Sequence, residues 1–175
     1  MARVVRKQHN NTDYYEEYFM INNRIYGERK GYLNGKLRET ANWINDKLNG
    51  ETRIFYVNNC IKEIMYYVNH KLEGQHKKYY PDGKLLFYYN YENGELNGEH
   101  VLYSSNGVIR DLKNYKDDIL HGECRTYYGN GTLSAIINYD KGELHGKYIT
   151  YEYNQPNVIH KIRHYNRGDL VNNKN

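Results

Sequence analysis

The chain has 175 residues, 39% of them hydrophobic and 26% charged, with a formal net charge of +4. That length makes one domain the default, and an apolar share below that of ordinary globular domains suits a one-layer or partly open array better than a closed sandwich. Lys and Arg lie scattered among carboxylates rather than gathered into a stripe, which argues against nucleic acid as a partner.

The N-terminal segment, residues 1–24, opens on a basic stretch with Arg3, Arg6 and Lys7. Met1 to Asn10 read as a frayed end or a cap. Behind them Tyr14, Tyr15, Tyr18, Phe19 and Met20 form an apolar cluster. Such a cluster is a partial repeat that caps the array, or a dimer contact. From there a 24-residue phrase recurs over residues 25–171, in six repeats opening at Gly27, Gly50, Gly74, Gly98, Gly122 and Gly146. A fixed period in this range marks an array of supersecondary units, none able to bury its own apolar face. The first repeat is one residue short. The last is two residues longer, its extra length at Asn154-Gln155-Pro156-Asn157. Length changes confined to a turn are what a hairpin tolerates. Residues 172–175 read as a frayed tail.

Each repeat reads as two strands and two turns. Tyr80-Pro81-Asp82-Gly83, Ser104-Ser105-Asn106-Gly107 and Tyr128-Gly129-Asn130-Gly131 end in Asp-Gly or Asn-Gly. The second turn is Tyr91-Glu92-Asn93-Gly94 or Tyr139-Asp140-Lys141-Gly142. Gly83, Gly94, Gly107, Gly131 and Gly142 supply backbone positions with positive φ at little steric cost. Between turns lie runs such as Leu85-Leu86-Phe87-Tyr88-Tyr89 and Ala135-Ile136-Ile137, rich in aromatic and β-branched residues. Recurrent glycine and scarce alanine disfavour helix. The expected fold is all-β: an elongated antiparallel meander, or solenoid, of β-hairpin repeats with about twelve or more strands. At about 4.8 Å per strand each repeat advances roughly 10 Å, and the ribbon twists.

The 22 tyrosines follow the period. Tyr32, Tyr79, Tyr103, Tyr127 and Tyr151 form one column with Phe55; Tyr67, Tyr91, Tyr115, Tyr139 and Tyr165 form a second with Trp43. On a meander such columns become structural aromatic ladders, worth roughly 0.2–1 kcal/mol per cross-strand pair. Tyr56 and Tyr128 stand off these columns and are candidates, with the N-terminal cluster, for a partner surface.

No catalytic constellation is legible. Of the eight histidines, His121 with His145 and His76 with His100 share offsets one repeat apart. That is about 10 Å, too far for one metal. Carboxylates recur in columns, and no phosphate loop or nucleophile elbow occurs. No catalytic, cofactor or metal residue is assigned. Cys60 and Cys124 lie three repeats apart, roughly 25–30 Å, beyond disulfide reach. Free thiols point to a reducing, intracellular compartment such as the cytoplasm. No apolar run approaches the ~20 residues of a membrane span, and no signal-peptide core follows the basic N-terminus. Abundant Asn, Lys, Tyr and Ile suit AT-rich coding, bacterial or viral.

The phrase Gly-x-x-x-x-Tyr-Tyr-x-x-Gly-x-Leu, then Tyr-x-x-Gly-x-Leu-x-Gly, resembles the MORN repeat. It is most similar to the MORN variant of YwqK-type, antitoxin-like proteins. The resemblance runs from about Ile25 to Leu170 and is strongest from Gly74 to Gly146. Asn59, His70 and Asn157 stand where turn glycines are usual, which leaves the turn geometry there open. The resemblance implies a non-enzymatic scaffold, without cofactor, for protein–protein contact and homodimer formation. It implies two alternatives: peripheral binding to acidic phospholipid, which needs Lys and Arg on one face, and antitoxin-like neutralisation of a protein partner.

Overall fold

A computed structural model of the chain describes residues 1–9 and 13–171. The tail at 172–175 lies outside the described residues, as does Asn10 at the end of the basic segment. The described residues form eighteen strands joined by turns, with no helix and only antiparallel pairing. The architecture is a hairpin meander, as the periodicity predicts.

The chain divides into two compact units, the first holding Met1–Leu85 with Tyr91–Gly94, the second Leu86–Asn90 with Glu95 onward. The first contains β1 (Ala2–Gln8), β2 (Tyr14–Ile21), β3 (Arg24–Leu33), β4 (Lys36–Ile44), β5 (Lys47–Phe55), β6 (Ile61–Val68), β7 (Lys71–Leu72) and β8 (Gly74–Tyr79). The strand β9 (Leu85–Glu92) supplies Leu86–Asn90 to the second unit. There follow β10 (Glu95–Leu96), β11 (Gly98–Tyr103), β12 (Ile109–Lys116), β13 (Ile119–Leu120), β14 (Gly122–Tyr127), β15 (Leu133–Asp140), β16 (Glu143–Tyr151), β17 (Ile159–Asn166) and β18 (Asp169–Leu170).

Beyond the twelve strands of the six hairpins stand β1 and β2, the short β7, β10 and β13, and the closing β18. The basic N-terminal stretch is itself a strand: β1 pairs with β2 from Ala2↔Ile21 to Gln8↔Tyr15. The opening glycine also interrupts the strand in three repeats, separating β7 from β8, β10 from β11 and β13 from β14. Gly74, Gly98 and Gly122 hold φ of 72°, 88° and 85°. A residue in that region bends the strand and leaves a ladder position unpaired, as at a β-bulge.

The two turns of a repeat differ. In the second, both central residues have positive φ: Asn45/Asp46, Asn69/His70, Asn93/Gly94, Asp117/Asp118, Lys141/Gly142 and Arg167/Gly168. A type I′ turn requires this, and its twist matches that of the flanking strands. Asn22/Asn23 is a further copy upstream of the six. The second residue of each turn donates its N–H to the carbonyl closing the preceding repeat: Asp118 to Leu96 (3.0 Å), Gly142 to Leu120 (2.8 Å), Gly168 to Leu144 (2.9 Å). In the first turn one residue is left-handed: Gly83, Gly107 or Gly131, with Asn59 and Asn157 at φ of 65° and 66°. The preceding Asn or Asp side chain closes it, accepting the N–H two residues on: Asn58 from Cys60, Asp82 from Lys84, Asn106 from Val108, Asn130 from Thr132. Asn59, His70 and Asn157 therefore keep the geometry of the glycines they replace. The short first repeat has a tighter turn, with Asn34 and Gly35 both at positive φ.

The core is thin. Only Ala41, Met65, Val101, Cys124 and Ala135 are buried apolar residues among those described, with Glu16, Thr52 and His100 buried beside them.

Candidate functional site

Register places the tyrosine columns on opposite faces, because residues directly opposite share a face and successive residues alternate. Five members of the second column lie across from an opening glycine: Trp43 from Gly27, Tyr67 from Gly50, Tyr115 from Gly98, Tyr139 from Gly122, Tyr165 from Gly146. On its other side stands the closing leucine, as in Tyr67↔Leu72, Tyr115↔Leu120 and Tyr139↔Leu144. A glycine leaves room for a ring to lean toward the residue two positions on. Tyr91 lies 6.4 Å from His76, Tyr115 6.2 Å from His100 and Tyr165 6.2 Å from Tyr148, centroid to centroid. The Arg29 guanidinium sits 5.3 Å from the Trp43 ring, within cation–π range. Covered positions on this face include Cys124 at 3% and His100 at 7% exposure, and the Glu16 carboxylate buried against Arg29.

The first column belongs to the other face. Tyr127 interacts with Arg125, which alternates with Cys124, and Tyr32 stacks on Tyr15 at 4.7 Å. Carboxylates just after the opening glycines stand here too, paired two residues along: Glu28 with Lys30, Glu51 with Arg53, Glu123 with Arg125.

Two repeated contacts escaped the sequence reading. The first is an asparagine just before the second column. Nδ2 of Asn42, Asn90, Asn114 and Asn138 donates to the carbonyl nine residues on, of Glu51, Glu99, Glu123 and Lys147, at 2.6–2.9 Å. These are the carbonyls following the opening glycines. The recurrent Asn-Tyr dipeptide was its visible signal. The second is made by Tyr56 and Tyr128, whose hydroxyls donate to the carbonyls of Tyr79 (2.7 Å) and Tyr151 (2.8 Å) in the next repeat. Both rings are half-buried. The structure thus gives these two off-column rings a bracing role.

The N-terminal cluster is not an open edge. Tyr14, Tyr15, Tyr18, Phe19 and Met20 lie on β2, which pairs with β1 on one side and β3 on the other. Arg6 stands over the Tyr15 ring at 4.1 Å, and Met20 is opposite both Arg3 and Ile25. Tyr14 donates to Glu16, whose carboxylate also takes the Arg29 guanidinium.

Glu63 meets Lys78 at 2.9 Å and His76 at 3.3 Å. Those bonds hold its carboxyl below the usual range against the opposing effect of burial. Burial pushes the Cys124 thiol up. His100 is driven down to about 4 by burial, with Lys113 adding to the shift. Among the described residues no group of three His, Cys, Asp or Glu is placed to hold a metal ion, and no helix is long and apolar enough to cross a membrane.

Residues 72–94 and 120–141 match the MORN repeat variant. Each match covers a closing leucine, an opening glycine and the strands and turns just described. No curated protein matches the chain.

Proposed function

We propose that this chain, which carries MORN-variant repeats at 72–94 and 120–141, is a non-catalytic scaffold that binds protein and associates with itself. Repeats of this kind are protein- and membrane-interaction modules. The observation that carries the reading is how the repeated residues are spent. Turn residues, asparagines, glycines and both tyrosine columns serve the sheet itself, while several large apolar side chains stay exposed. Val4 is 77% exposed, Val57 70% and Ile162 46%. Apolar side chains left exposed on a thin sheet leave area for a partner to bury.

The phospholipid alternative gains no support from the charges. Lys30, Arg53, Lys78 and Arg125 each meet a carboxylate, which weakens an anionic-lipid contact at these positions. Light scattering on the full chain across the micromolar range, with sedimentation against anionic vesicles in parallel, tests the reading. A concentration-dependent dimer without vesicle binding supports it. A monomer that sediments with vesicles overturns it.

A further inference from the structure

The cross-strand rows of the two compact units differ on the face that carries the first tyrosine column. In the second unit the registers Tyr88↔Val101, Val101↔Leu112, Leu112↔Arg125, Arg125↔Ile136, Ile136↔Ile149 and Ile149↔Ile162 link into one row across seven strands. Six of its seven members are aliphatic or aromatic. The corresponding row of the first unit is Arg6, Glu17, Lys30, Thr40, Arg53, Ile64 and Lys77. The same hairpin architecture therefore stands with charged residues at these positions. Folding does not demand the apolar row. Val101 is covered within the sheet at 2% exposure, but Leu112, Ile136 and Ile149 stay half-exposed and Ile162 is 46% exposed, surface that a partner can bury.

We infer that this partner is a second copy of the chain, the two apolar rows packing face to face, a reading that rests on the self-association proposed above. Three observations select a copy over another occupant. Strand β14 is the middle of the seven, so a two-fold axis along it lays the half-exposed Leu112 over Ile136 of the partner and the strand of Val101 over that of Ile149. The same axis brings the carboxylate of Glu99, two strands before β14, onto the ammonium of Lys147, two strands after it; both follow an opening glycine and lie at the same level. Arg125, on the axis, is already bonded to Glu123 through Nε (2.7 Å) and Nη2 (2.6 Å) and enters neutralised. The footprint also suffices: seven strands by five residues is about 30 Å by 16 Å. Two such faces bury about 1,000 Å², the lower bound for a specific interface, with aligned sheet packing.

The test is light scattering on the full chain at about 100 µM for wild type, Ile136→Lys/Ile149→Lys, and Thr40→Lys at the matching row of the first unit. The double variant is expected to be monomeric, its dissociation constant raised at least about 100-fold, while Thr40→Lys remains dimeric. Lys147→Glu weakens the dimer and adding Glu99→Lys restores it. Should the double variant unfold, cross-linking decides: Arg125→Cys in a Cys60→Ser chain is joined to its copy by a bismaleimide of about 10 Å reach, the spacing of packed sheets. A wild-type dimer that survives Ile136→Lys/Ile149→Lys, or escapes the cross-linker, overturns this face and leaves self-association standing. A monomeric wild type overturns both.

Discussion

Asn114 and Glu123, nine residues apart, are joined by a 2.6 Å hydrogen bond from the asparagine Nδ2 to the glutamate carbonyl. Gly122 lies between them at φ of 85°. The left-handed glycine turns the next carbonyl out of the ladder, and a buried carbonyl without a donor costs free energy. The asparagine of the neighbouring strand supplies the donor, so glycine and asparagine form one device. Three further repeats contain it.

Removing that donor is expected to destabilise the fold. Asn114→Ala costs about 1–2 kcal/mol by leaving the Glu123 carbonyl unsatisfied. Asn114→Asp costs at least as much near neutral pH, because a carboxylate accepts and cannot donate. Urea denaturation with an unchanged slope measures both. Equal midpoints for wild type and Asn114→Asp would remove the asparagine from the account.

Tyrosines of the first column and the bracing tyrosines are expected to fail differently. Tyr103→Ala and Tyr127→Ala lose a half-buried ring, about 1.5–3 kcal/mol each. Tyr56→Phe and Tyr128→Phe keep the ring and lose only the hydroxyl bond, about 1 kcal/mol. Thermal melts separate the sets. A Tyr128→Phe chain as stable as wild type would show that its hydroxyl contributes nothing.

Two glycines are expected to resist alanine for different reasons. Gly31 has ordinary φ, but a Cβ there would lie 2.6 Å from the Tyr14 hydroxyl. Gly31→Ala pushes Tyr14 off Glu16, and a second change, Tyr14→Ala, relieves the strain. Gly122 has open space, its nearest neighbour 4.0 Å away, but φ of +85°. Gly122→Ala costs about 1–2 kcal/mol in backbone strain, and no second-site truncation recovers it. Double-mutant cycles distinguish the two.

His100 makes stability depend on pH. Both ring nitrogens are buried without a hydrogen-bond partner, with Tyr89 at 4.0 Å, Lys113 directly opposite, and Asp111 and Tyr115 on the same strand as Lys113. Its value falls from 6.5 to about 4 on folding. The unfolded chain therefore binds the extra proton, and the contribution, full above pH 6.5, is lost as pH falls toward 4. After allowing for solvent screening it is about 2 kcal/mol. His100→Phe removes it, so the stability gap between variant and wild type changes across that window. A gap that stays constant would contradict it.

Local chemistry made the hairpins legible. Glycine and asparagine at fixed offsets name the left-handed turn positions, and β-branched and aromatic runs name the strands, because both preferences act within a few residues. The 24-residue spacing then assigns repeats, turns and two tyrosine columns. Which face a column occupies was not legible, because side chains alternate and each bulge, as between Leu102 and Tyr103, shifts the alternation by one residue. Nor was the pairing of β1 with β2, whose basic sequence lacks the repeat and gains its place from Glu16 and Glu17 opposite Lys7 and Arg6. The asparagine bonds, the tyrosine braces and the apolar row from Tyr88 to Ile162 all join residues of different strands. Only the register of the folded sheet brings them together.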